Sequence, residues 1–123
     1  MLRADSSDAE ANSLMGQLLV RRHQYNDAIP HLRLALQGVS PDATAELHSV
    51  LAKCYAARGE YAEALKELKP ALSADTMGTY HYQLYQLYLK LGNQKAAANA
   101  LEESENLRRN KSVAEQEKVL REQ

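Results

Sequence analysis

The sequence predicts an all-α fold built from three antiparallel helix hairpins, and three observations predict it. The first is internal repetition. Tyr25, Ala28, Leu32, Ala35 and Leu36 recur 36 residues later as Tyr61, Ala64, Leu68, Ala71 and Leu72. A further shift of 33 carries His48, Leu51, Tyr55, Gly59, Ala64 and Leu68 onto His81, Leu84, Tyr88, Gly92, Ala97 and Leu101. Self-similarity at a period of roughly 20–50 residues is the mark of stacked repeat units. The second is composition: Ala, Leu, Glu, Gln, Lys and Arg dominate, and these are the good helix formers, while three Pro and five Gly are few for a turn-rich all-β fold. The third is punctuation. Gly59 and Gly92 each follow an apolar stripe of helical spacing, where a left-handed residue closes a helix.

Each unit reads as two helices. In the first, Met15, Gly16 and Leu19 mark one helix and Tyr25, Ala28, Leu32 and Ala35 the next. His23 fills the closing slot that glycine takes elsewhere, so its turn is expected to be less favourable. Pro30 is expected in the first turn of its helix, where proline costs little. In the second unit Leu47, Leu51 and Tyr55 form a stripe with Ala52 beside it. A new stripe runs from Tyr61 through Ala64, Leu65 and Leu68 to Leu72, and Asp75 and Thr76 punctuate it. Pro70 falls inside that helix and predicts a kink. In the third unit Tyr85 and Ser104 stand where small residues are expected, which predicts a splayed hairpin or a shifted register. Gly16, Ala28, Ala52, Ala64 and Ala97 are the small residues that let paired helices approach to about 8–10 Å.

These spacings divide the chain into repeats at 9–42, 45–78 and 78–111. Residues 1–8 read as the tail of a preceding repeat or an N-terminal extension, and the polar 112–123 as a C-terminal cap helix or a frayed helix end.

Charge and motif content exclude several function classes. A net charge of −1 with no basic face argues against nucleic-acid binding. The longest apolar runs fall far short of the ~20 residues that span a bilayer, so no membrane role is expected. Cys54 is the single cysteine, which rules out an intramolecular disulfide and a cysteine-based zinc site. It reads as a buried structural thiol in mid-helix. One cysteine fits a reducing compartment, and the cytoplasm is favoured. His23, His31, His48 and His81 form no i,i+4 pair and no HExxH, so no metal is expected. His48 and His81 share a repeat position and are expected to pack at equivalent inter-helix sites. There is no Gly-rich phosphate loop and no GxSxG, and Glu102, Glu103 and Glu105 beside Arg108 and Arg109 read as solvated helix charges. No catalytic residue, enzymatic activity or cofactor is expected.

The pattern of a large residue, Leu, a small residue and Tyr on the first helix, then Ala, a large apolar residue and Ala on the second, resembles the tetratricopeptide repeat family. The resemblance rests on Leu51, Ala52, Tyr55, Gly59, Tyr61, Ala64, Leu68 and Ala71, with weaker echoes in the other units, and covers residues 9–111. The chain departs from the family where Asn12, His48 and His81 take the usual Trp slot, and where Ser40 and Thr76 replace the terminal Pro.

The resemblance implies a right-handed superhelical stack, an α-solenoid, whose first helices line a concave groove that binds a peptide or partner segment. The matching groove positions are Glu10, Ser13, Gln17 and Arg21, then Glu46, Ser49, Lys53 and Ala57, then Thr79, Tyr82, Gln86 and Lys90. Arg21, Lys53 and Lys90 are the donors for a carboxylate, and Tyr82 is the aromatic anchor. One subfamily clamps the C-terminal carboxylate of chaperones with Lys, Asn and Arg. Ser13, Gln17, Lys53, Thr79 and Gln83 stand in that clamp here, and only Lys53 carries a suitable charge, so chaperone-tail binding is not expected. The alternative to groove binding is a spacer or self-association module that stacks through its end faces and forms a homo-oligomer.

Overall fold

The computed structural model describes residues 6–122. The segment 1–8, read above as the tail of a repeat, lies outside the described residues over its first five positions. The described residues form six α-helices and no strand: α1 (Ser6–Arg21), α2 (Tyr25–Leu36), α3 (Pro41–Ala57), α4 (Tyr61–Leu68), α5 (Thr79–Lys90) and α6 (Gln94–Arg121). A 3-10 helix, Lys69–Ala74, follows α4. These elements fall into two compact units, Met1–Ala71 and Leu72–Gln123.

In the first unit α1 packs on α2, α3 on α4, and α2 on α3. The α1–α2 crossing depends on the missing side chain of Gly16: a Cβ there would lie 2.6 Å from Cδ2 of Leu32. The core joins Ala28, Leu32 and Ala35 of α2 to Leu47, Val50, Leu51 and Cys54 of α3, with Leu19, Val20, Tyr25, Ile29, Leu36 and Val39 packed around it. Each fully buried leucine here contributes about 1.5–3 kcal/mol, so the α2–α3 seam anchors the unit.

The hairpin turns share one geometry. His23 at φ +59°, Gly59 at +79° and Gly92 at +79° are all left-handed. In each, the next N–H reaches back five residues: Gln24 to Leu19 O at 2.8 Å, Glu60 to Tyr55 O and Asn93 to Tyr88 O, both at 2.9 Å. This is the Schellman closure that caps orphan carbonyls at a helix end. The following helix therefore starts almost at once, and that corrects the placement of Pro30. α2 begins at Tyr25, so Pro30 is its sixth residue, inside the helix and past the first turn. Pro70 does more than kink its helix. The α-helical pattern stops at Leu68 and the chain goes on as 3-10 turns, because the ring lacks an N–H and crowds the preceding turn.

In the second unit α5 packs on α6. At the hairpin expected to be splayed or shifted in register, Ala97, Ala100 and Ser104 are buried along α6. The hydroxyl of Ser104 donates to Gly78 O at 2.7 Å, which satisfies a polar group where alanine would need no partner. Asp75 precedes α5 and is buried; its carboxylate accepts from the N–H groups of Gly78 and His81, both at 2.9 Å, and meets Nδ1 of His81 at 2.8 Å. Asn93 caps α6 by accepting from Ala96 N at 3.1 Å. The separate C-terminal cap helix is not formed. With no Gly or Pro between Gln94 and Arg121 to break it, α6 runs unbroken for 28 residues, about 42 Å at 1.5 Å per residue.

Candidate functional site

α1 and α3 touch in the first unit and leave an open concavity of about 190 Å³ between them. Gln17, Val20 and Arg21 line it from α1, and Glu46, Val50 and Lys53 from α3. Spacings of three and four residues put each trio on one helix face. Val20 and Val50 form an apolar floor continuous with the core. Arg21, Glu46 and Lys53 are exposed around it. Among the described residues neither Arg21 nor Lys53 has an ion-pair partner, so two cations and one anion face the opening uncompensated. A partner that brings carboxylates gains charge-assisted hydrogen bonds there without breaking existing ones.

Four of the eight expected groove residues on α1 and α3 therefore line one concavity: Gln17, Arg21, Glu46 and Lys53. Ala57, the last residue of α3, is exposed but does not line it. Glu10 is exposed but does not line it, and Ser13 is half-buried, accepting from Nε2 of Gln17 at 3.0 Å. Ser49 is buried and cannot meet a partner directly. Val20 and Val50 lie outside the groove positions that the resemblance implies; the sequence signal for them is the step of three from Gln17 and of four from Glu46. On α5, Thr79, Tyr82, Gln86 and Lys90 are exposed and share one face at steps of three and four. The Tyr82 ring leans on Tyr85, with centroids 5.5 Å apart and planes tilted by 45°.

The histidines face polar groups that differ from site to site. Nδ1 of His31 lies 2.9 Å from Oδ1 of Asn12, linking α2 to α1. Nδ1 of His48 faces the Glu67 carboxylate across the α3–α4 hairpin at 3.7 Å, beyond hydrogen-bond reach. Both pairs span 19 residues, and a shift of 36 maps one onto the other. His81 does not continue the series, contrary to the expected equivalence with His48. The position that would answer it is Ala100, which has no polar group, so His81 turns to Asp75 instead. His81, Leu84, Tyr88, Ala96, Asn99, Ala100 and Glu103 surround the cleft that remains.

Two further groups complete the electrostatic picture. Arg33 lies 2.9 Å from Glu67, donates to the Tyr55 hydroxyl at 2.7 Å, and sits 5.7 Å from the Tyr55 ring centroid, so one guanidinium ties α2 to α3 and α4. Cys54 is fully buried, and burial pushes its thiol up to about 11, which keeps it protonated and inert at neutral pH. Among the described residues no group of three or more His, Cys, Asp or Glu could hold a metal ion, and no helix is long and apolar enough to cross a membrane.

Hairpins closed by a shared left-handed turn, with small residues at the crossings, define a helical repeat protein. The family model for the tetratricopeptide repeat matches residues 7–77, which is more than half of the chain. The chain belongs to the tetratricopeptide repeat family. A search of curated proteins found no match. Repeats of this family generally mediate protein–protein interaction and are typically not catalytic.

Proposed function

We propose that this chain is a protein–protein interaction module and that the α1–α3 concavity takes an extended, acidic segment of its partner. The observation that carries this reading is the pair of unpaired cations, Arg21 and Lys53, on opposite walls of an opening floored by Val20 and Val50. Helix positions preset both cations, so little receptor entropy is lost on binding. Thr79, Tyr82, Gln86 and Lys90 on α5 form a second exposed set, in the other unit, that can take partner contacts of its own. The repeats at 9–42, 45–78 and 78–111 are the units that present these faces.

A peptide array over the purified chain, repeated with Lys53→Glu and Tyr82→Ala, tests the proposal. Acidic peptides should be retained by the wild type and weakened about tenfold or more by Lys53→Glu, the loss expected for one charge-assisted contact. Retention that is indifferent to Lys53→Glu and to added salt would overturn it.

A second reading, a module that associates through an end face, is favoured by one observation: Leu14, Met15 and Leu18 of α1 form an exposed apolar face.

A further inference from the structure

The α1 face has an internal template. A shift of 36 maps Leu14, Met15 and Leu18 onto Val50, Leu51 and Cys54 of α3. Those three are 9%, 0% and 0% exposed, covered by α2. On α1 the same slots are apolar yet 70%, 44% and 41% exposed. The repeat thus makes a packing surface at this position, and on α1 it has no cover among the described residues.

The charges around this face indicate what covers it. Glu10, Leu14, Leu18 and Arg22 follow one another at steps of four and so form one ridge along the helix. Arg22 still belongs to it, since its N–H bonds to Leu18 O at 3.2 Å. The ridge carries an acid at its N-terminal end, a base at its C-terminal end and two leucines between. Among the described residues neither Glu10 nor Arg22 has an ion-pair partner. Such a ridge is complementary to itself when turned end for end. A two-fold axis through its midpoint sets Leu14 beside Leu18 of a second copy, and Glu10 beside that copy's Arg22 at both ends. Isologous self-complementarity of this kind is what a closed dimer requires. Head-to-tail stacking of copies lacks a matching surface. Where Ile29 and Leu36 of α2, with Val39 just beyond it, cover α3, the equivalent positions of α6 are Ala98, Glu105 and Arg108, all exposed.

We propose that α1 pairs antiparallel with α1 of a second copy of this chain, through Leu14 and Leu18 with Met15 at the edge, and that two Glu10–Arg22 pairs fix the orientation. This rests on the end-face reading above and names its partner. Sedimentation equilibrium across a concentration series tests it. The wild type should show a monomer–dimer equilibrium with no larger species. Leu14→Glu should weaken dimerisation about tenfold or more, with helical circular dichroism unchanged because the side chain is exposed. Glu10→Arg alone and Arg22→Glu alone should each weaken it, and the double variant, which restores opposite charges across the axis, should recover it. A dimer whose stability ignores this charge cycle, or open-ended growth beyond dimers, would overturn the antiparallel pairing. A monomer at every concentration that binds a hydrophobic dye, and loses that binding in Leu14→Glu, would overturn the second copy as partner and leave the end-face reading intact. A monomer without such dye binding would overturn both.

Discussion

At the scale of single residues, the three hairpin turns are a controlled comparison written into one chain. His23, Gly59 and Gly92 occupy the same slot and adopt nearly the same left-handed φ. A side chain there crowds the following carbonyl by about 1–2 kcal/mol, which glycine avoids. The His23 ring recovers part of this by meeting the Tyr25 hydroxyl at 2.7 Å, but the contact is exposed and contributes little. His23→Gly should therefore raise stability by about 0.5–1 kcal/mol. Urea denaturation measures this directly, and a loss of stability would show that the histidine contact outweighs the backbone strain. Gly16 makes the opposite point, because its glycine is required by the approach of Leu32 and not by a turn.

At the scale of elements, α5 depends on a carboxylate outside its own sequence. Burial alone would push Asp75 up, but the backbone N–H and ring of His81, with the N–H of Tyr80, hold it below the usual carboxylate range. Because the folded value is the lower one, this contribution is fully present above the ordinary carboxyl range, about pH 4. It is lost as pH falls through the depressed folded value. Asp75→Asn should cost about 1–3 kcal/mol at neutral pH, and the gap between variant and wild type should narrow in acid; an unchanged gap down to pH 2 would rule this out. Elements were also the scale most legible in the sequence. The repeat of Tyr, Ala and Leu at two near-equal shifts was enough to locate the hairpins, since each position answers a packing need that recurs. Boundaries were less legible. The sequence predicts Pro30 in the first turn of its helix, but the turn at His23 starts α2 at Tyr25, five residues before it. The polar end of the chain reads equally as a cap helix or a frayed helix end, and α6 runs on through it because nothing in its sequence stops a helix. For the candidate site, charged positions such as Arg21 and Lys53 could be read from repeat register alone. The burial of Ser49 and the pairing of Asn12 with His31 could not, because both depend on how neighbouring helices cross.

At the scale of the whole molecule, stability is distributed by burial, and burial is uneven along the chain. Leu32, Leu47, Leu51 and Cys54 are sealed in the α2–α3 seam, whereas no described residue after Ser104 is buried. The last turns of α6 carry Val113, Val119 and Leu120 exposed to solvent, and are supported locally by Lys111–Glu115 and Glu117–Arg121 pairs at i,i+4. Such surface pairs contribute about 0.3–0.5 kcal/mol each, too little to hold three turns of helix shut against fraying. Hydrogen exchange should therefore be graded: amides of α2 and α3 should exchange only with global unfolding, and those from Arg108 to Arg121 through local opening, many orders faster. Amide exchange followed by mass spectrometry resolves the two regions in one experiment. Slow exchange in the tail would mean that its exposed valines and leucine are covered in solution, and would locate a third contact surface besides the α1–α3 concavity and the α1 ridge.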